Sequence, residues 1–306
     1  MRKAENKVKI EGILSETDLK DGSFVRNGEA VETIGGTIKI QVNQVINGEN
    51  TISEIPVHMF AAKYTNAGKP NPAYDSIKKV KDEFVSIQSG GSAERADKVR
   101  ISSGELRMNE FWGKNGKFVA TPRIHASFIS KAIGEFRPEA TFSLEFIVSS
   151  IKHELDADGI EVEPTRLAVE AIVPQYQRPG AEPNVDLIPL VAVTPSVINA
   201  IESYWEAGAC YKAIGRLNFS SRTEQVVTEQ GFGESKSSLR TISTNELVLT
   251  GGSQTPIDEA MAFDMDEIKA GMAARKVRID DLKTGKQSTN KQAPAPNKGK
   301  LSDLGF

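Results

Sequence analysis

Residues 99–128, VRISSGELRMNEFWGKNGKFVATPRIHASF, decide the fold. Apolar positions alternate into Gly104 and on to Trp112, the chain turns through Lys114-Asn115-Gly116-Lys117, and a second alternating run returns. Asn-Gly between two alternating runs is the strongest short-range signal of a β-hairpin. Gly104 falls mid-strand, where a missing side chain relieves crowding at a bend or bulge. The hairpin also gathers arginines, lysines and aromatic rings. Cations for phosphates and flat rings for bases are what a platform for single-stranded nucleic acid needs.

Upstream of the hairpin, Lys7–Leu14, Thr37–Ile46 and Ile52–Ala61 alternate as strands, with Asn47-Gly48 turning between the second and third. Asp21-Gly22 and Asn27-Gly28 predict a loop after the first. A Gly/Pro/Asn loop, Asn66–Pro72, precedes a helix over Ala73–Ile87 that carries Ile77, Val80 and Phe84 on one face, and Ser89–Asp97 reads as a mobile loop. Three strands, a helix and two strands is the order of the five-stranded OB barrel.

The plan recurs downstream: strands at Thr141–Ser150, Arg166–Val173 and Val185–Val193, a helix opened by Thr194-Pro195 and ending near Gly208, then strands at Tyr211–Phe219 and Leu239–Thr250. Glu54-Ile55-Pro56-Val57 matches Leu187-Ile188-Pro189-Leu190, and Gly104-Glu105-Leu106 matches Gly215-Arg216-Leu217, which suggests an internal duplication. From Pro256 a helix is expected, with Ile257, Met261, Ile268 and Met272 as its packing stripe against the second barrel or a partner helix. From about Lys283 the chain is polar and predicted to be disordered, ending in LSDLGF. The fold class expected is therefore mainly β: two tandem five-stranded OB-type barrels over 1–136 and 137–254, a helical segment over 255–282, and a disordered tail over 283–306.

Composition narrows the function. The 306 residues are 39% hydrophobic and 26% charged, which fits a globular chain. No apolar run reaches about 18 residues, and MRKAENKVKIEG has neither the apolar core nor the cleavage site of a secretory signal. With one cysteine, Cys210, no internal disulfide framework exists, and a cytoplasmic setting without membrane contact is expected. Cys210 reads as a small buried hydrophobe. Net charge is +3 over 1–136, −7 over 137–256 and +1 over 257–306, so the first block suits a polyanion best.

Enzyme and metal signatures are weak. Glu154-Leu155-Asp156-Ala157-Asp158-Gly159 is like the start of a calcium loop, but the twelfth position is Thr165 and not a bidentate Glu. A β-turn at Asp158-Gly159 is the simpler reading. His58, His125 and His153 lack metal-ligand spacing. Gly68-Lys69 lacks the phosphate-loop spacing and is followed by Pro70. No local catalytic motif is present, so a non-enzymatic protein without cofactor is expected.

Ile55-Pro56-Val57, the amphipathic helix after it, and then Ile101, Gly104-Glu105-Leu106, Trp112 and the turn glycine Gly116 resemble the OB fold of bacterial and phage single-stranded DNA-binding proteins. The terminal Leu304-Gly305-Phe306 is similar to that family's C-terminal tip. This chain departs from the family in having two barrels, one tip acid (Asp303) and a longer Asn66–Asp97 insertion. The resemblance implies a protein that coats single-stranded DNA in replication, recombination or repair, without strong sequence preference. It implies partner docking through Asp303, Leu304 and Phe306, and two copies bringing four barrels together; the departures from the family suit a phage or mobile-element origin, with the host cytoplasm as the setting.

The candidate binding residues are the rings Trp112, Phe111, Phe60 and Tyr64 and the cations Lys39, Arg100, Arg107, Lys114, Lys117 and Arg123. Stacking by Trp112 and Phe111 competes with their packing on the second barrel or a dimer partner; each cation alone reads more readily as a solvated surface charge, and it is their concentration around one hairpin that raises phosphate contact to an equal reading. Phe118, Ile124 and Phe128 are expected in the core and Trp205 in the core of the second helix. The sequence does not separate DNA from RNA. A structural or adaptor protein using its barrels for protein contacts stays open, favoured by the acidic second block.

Overall fold

The computed structural model describes residues 2–284 except 27, 157, 176–180, 229–235 and 259–261, and at 222–228 and 236–242 it describes the backbone alone. The elements run β1 (Asn6–Arg26), β2 (Glu29–Ile46), β3 (Glu49–Ala62), α1 (Pro72–Glu83), α2 (Ile87–Gly90), β4 (Lys98–Trp112), β5 (Phe118–His125) and β6 (Ser130–Lys131). They continue as β7 (Glu139–His153), β8 (Leu167–Gln175), β9 (Asn184–Ala192), α3 (Pro195–Tyr204), β10 (Cys210–Thr228), β11 (Lys236–Gly252) and α4 (Met265–Lys283). The protein is mainly β.

The first five strands close into a ring. β1 pairs with β2, β2 with β3, β3 runs parallel to β5 at Val57–Ile124 and His58–His125, β5 pairs with β4, and β4 returns to β1. β7 to β11 close in the same order, with one parallel contact at Val248–Val191. Each ring has helix between its third and fourth strands, the OB order. The rings share a seam: Asn6–Glu11 of β1 pair antiparallel with β7, and one eleven-stranded sheet runs through both.

Period-two alternation builds both cores. Ile38, Ile40 and Val42 of β2, and Ile55, Val57 and Met59 of β3, are buried, as are Phe142, Leu144 and Phe146 of β7. Each such side chain contributes about 1.5–3 kcal/mol on burial. Ile77 and Val80 of α1 add to the first core; Asn71 caps that helix, accepting from the Ala73 N–H, and Pro72 opens it.

The two mid-strand glycines occupy equivalent places. Gly104 lies opposite Val8, beside an extra residue of β4 against β1, and Gly215 lies opposite Phe142, beside an extra residue of β11 against β10. A Cβ on Gly215 would sit 2.3 Å from Phe142 Cζ and 2.3 Å from the Val248 carbonyl oxygen. The oxygen belongs to the neighbouring strand and cannot swing away. Gly215→Ala is therefore expected to destabilise the fold by about 3 kcal/mol or more, read as a lower urea midpoint; an unchanged midpoint would show that the strands can part there.

Several expectations are corrected. Asp21-Gly22 does not end β1; the β1–β2 hairpin continues in register to Arg26–Glu29, because Gly22 stays out of the left-handed region and pairs with Thr33. The stretch before β4 is pinned: Ser86 and Ser89 form a capping box, and Val85 and Asp97 exchange two hydrogen bonds at 2.8 and 2.9 Å. Pro256 starts no helix. α4 begins at Met265, where the Asp264 carboxylate accepts from the Asp266 and Glu267 N–H groups. Met261 and the tail from residue 285 lie outside the described residues.

Phe128 is not core: it follows the end of β5, beyond the alternation that would bury it, and is 57% exposed. Phe118 is half-buried against Trp112, with ring centroids 5.6 Å apart, while Ile124 and Trp205 are buried as expected. Cys210 is buried, and that burial pushes its thiol up to about 11, which suits a packed hydrophobe. No helix among the described residues is long and apolar enough to cross a membrane.

Candidate functional site

Parity along β4 divides the hairpin. Leu106 points into the barrel, so Met108, Glu110 and Trp112 share its side, and Phe118 lies directly across from Trp112. Glu105, Arg107, Asn109 and Phe111 take the other side, across from His125, Arg123, Thr121 and Val119 of β5. The two sides meet different things.

The Trp112 side meets α4. Ile268 and Gly271 seat α4 on the second ring, where a Cβ on Gly271 would lie 2.8 Å from Val185. Farther along, α4 reaches the hairpin. The Glu110 carboxylate, 4% exposed, accepts from Arg275 Nε at 2.9 Å, also from the Arg275 terminal nitrogen, and from Arg278 at 3.2 Å. Arg278 also donates to Asn184 of β9 at 2.8 Å. Trp112 Nε1 donates to the Ile279 carbonyl at 3.1 Å, and the Lys283 ammonium lies 5.3 Å from its ring centroid. Trp112 thus packs within the chain, and α4 straps the first ring to the second.

The opposite side faces solvent and collects charge and rings. Phe111, 42% exposed, begins the row, followed along the strands by Arg107 beside Arg123, then His125 beside His58 of β3, then Phe60, which is 43% exposed. At about 3.3 Å per residue the row spans about 25 Å. Phe60 rests over Gly35 of β2, where a Cβ would lie 2.9 Å from its ring. Arg123 is exposed, and Arg107 has a 3.2 Å contact with Glu105 in a partly exposed pair, a weak hold that an incoming phosphate can replace.

The other expected residues are placed differently. Arg100 forks onto Glu11 at 2.8 and 3.0 Å and reaches the Glu135 carbonyl, so its charge is already matched. Lys39 sits 2.6 Å from Glu16 and 3.8 Å from Glu54. Tyr64 is exposed past the end of β3, with Lys63 6.0 Å from its ring centroid. Lys114 and Lys117 are exposed in the hairpin turn. Asp303, Leu304 and Phe306 lie outside the described residues. His58, absent from the expected set, has a sequence signal after all: it shares the parity of Phe60, out of phase with Ile55, Val57 and Met59.

The histidine rings meet edge to face, with centroids 5.1 Å apart. Burial, then His58, Arg123 and Arg107, push His125 down to about 4; burial and Arg123 push His58 down as well. Both rings are neutral near pH 7. Since their folded values lie below the unfolded one, the unfolded chain binds more protons, and stability falls as pH drops from about 6.5 towards 4. His125→Gln should flatten this part of the melting temperature profile; an identical acid slope would show that His125 does not contribute to it.

Among the residues whose side chains are described, the second ring lacks this surface. Pro56-Val57-His58 corresponds to Pro189-Leu190-Val191, and the pairs Leu106–Ile124 and Leu217–Leu247 place Val248 where the first ring has His125. Val191 and Val248 are buried against Ile46 from the end of β2. Gln44 adds a hydrogen bond to the Leu217 carbonyl at 2.8 Å. Asn218 and Glu246 stand in place of Arg107 and Arg123, and Arg166 binds Glu246. One ring covers the other's equivalent face and leaves its own open.

No curated protein matches the chain. Among solved structures, a deletion mutant of the single-stranded DNA binding protein from Thermus aquaticus aligns with 85% of this chain and 98% of its own, at 13% identity and a TM-score of 0.47. The Plasmodium falciparum SSB in complex with ssDNA aligns over 41% of this chain and 100% of its own, at 14% identity and a TM-score of 0.25. Neither likeness bears on what this chain binds. The YorF family model matches residues 4–285, from the start of the shared seam through the strap helix, and on that extent the chain belongs to the YorF family.

Proposed function

We propose that the protein binds single-stranded DNA, without strong sequence preference and without catalysis, on the outer face of its first barrel. The observation that carries this is the row Phe111, Arg107–Arg123, His125–His58, Phe60 on one open sheet face. Rings at its ends suit stacking on bases, and two weakly held arginines between them suit phosphates. The buried face of the second barrel supports a single gripping surface per chain. Tyr64, Lys114 and Lys117 extend the row at its ends, whereas Arg100 and Lys39 serve the fold. We further propose that 1–136 and 137–254 are the two domains, and that the protein coats exposed strands in replication, recombination or repair. The tip residues Asp303, Leu304 and Phe306 would recruit partner proteins.

Neighbouring substitutions separate this face from its reverse. In anisotropy titrations with a labelled oligothymidylate, Phe111→Ala should weaken binding by about 1–3 kcal/mol, the worth of one stacked base. Trp112→Ala should leave affinity within about threefold and instead loosen α4. The opposite order would move the site to the α4 side, and no binding by the wild type at low salt would remove the function.

A further inference from the structure

We infer that the His58–His125 pair is a proton-linked phosphate contact: seating a backbone phosphate on the pair draws protons onto the rings, so that DNA binds more tightly as pH falls. The inference rests on the outer face being the nucleic-acid surface and adds to it a regulator within that face.

The geometry places the two rings in the middle of the row, side by side on parallel neighbouring strands. From β2, His58 is opposite Thr37 and beside the Gly36 backbone, which favours its charge, and from β4 and β5 the pair is faced by Glu105, Arg107 and Arg123. Three groups thus disfavour charge on His125 — its partner ring and two guanidiniums — against one carboxylate that favours it. His125 has its ring contact with His58 and no hydrogen bond to a described residue, so a ring nitrogen is open to a ligand. A phosphate bridging this spot neutralises the arginine field and supplies the acceptor that two imidazolium N–H groups require. The free face keeps the rings neutral, and the bound face charges them. The step is proton uptake from solvent, with no bond made or broken in the DNA. The equivalent position in the second ring holds Val191 and Val248, which cannot take a proton.

Oligothymidylate is the probe because neither its phosphodiesters nor its bases change charge across the range used. Affinity at constant salt should rise about tenfold or more between pH 7.5 and 5.5, since each proton taken up is worth as much as tenfold per pH unit. For His58→Gln with His125→Gln the rise should be under about threefold. Calorimetry of the wild type in two buffers of different ionisation heat should give net uptake of close to one proton or more at pH 6. If the double variant does not fold, His58→Gln alone and the wild-type proton count decide. Binding with equal affinity at both pH values and no proton uptake would overturn the inference while leaving the binding function intact. No binding at either pH would overturn both.

Discussion

Arg275→Ala should cost about 3–5 kcal/mol of stability, or as much of it as α4 docking supplies, whichever is smaller. The reason is Glu110. Its carboxylate is 4% exposed and receives both of its strong donors from α4. Arg275, at 14% exposed, is the closer of the two. Without it, Glu110 keeps, among the described residues, the 3.2 Å bond from Arg278, and a buried charge is stripped of most of its compensation. The helix would relieve this by lifting away, which lets water reach Glu110 and takes the Ile279 carbonyl from Trp112. A lower urea midpoint and earlier proteolytic cleavage within α4 are the expected readouts. Adding Glu110→Ala should restore part of the stability, since the orphaned charge is then gone. A single Arg275→Ala variant within about 0.5 kcal/mol of wild type would mean that the strap contributes little to the fold.

Much of this architecture was legible because alternation leaves few options. The period-two runs in β2, β3 and β7 determined which side chains fill the cores, and the repeated Ile-Pro and Gly-x-Leu signatures fell at equivalent places in the two rings. The strap was legible only where it docks on the second barrel. Its docking stripe begins with Ile268 and Met272 but continues as Arg275, Arg278 and the Ile279 carbonyl, and polar docking leaves no apolar periodicity to detect. For the same reason the readings for Trp112 were base stacking or packing on the second barrel or a dimer partner, and not a contact with α4. The parity signal was nonetheless present: Trp112 is in phase with Leu106, and Phe111 is not. The matched charges of Arg100 and Lys39 come from Glu11 and Glu16 on β1, partners that only strand pairing brings near. The covering of the second ring by Ile46 is likewise a contact between distant segments.

Reversing both arginines of the open face, Arg107→Glu with Arg123→Glu, should lower affinity for an oligothymidylate by about 100-fold or more. Hydrogen bonds to charged groups are worth about 1.5–3 kcal/mol each, and the variant replaces two such bonds with repulsion. Folding should change little, because Arg123 is exposed and the ion pair of Arg107 is with Glu105 on its own strand. Phe111 and Phe60 would remain in place, so residual binding should be weak and carried by stacking.

The salt dependence of that comparison tests the central claim, that this face grips the phosphates of the strand. Affinity would be measured against salt concentration for the wild type and the double reversal. The wild type should show a steep fall in the logarithm of affinity with the logarithm of salt, and the variant a slope shallower by about 1.4, at about 0.7 for each phosphate no longer neutralised. Equal slopes and equal affinities would place the binding surface elsewhere on the molecule.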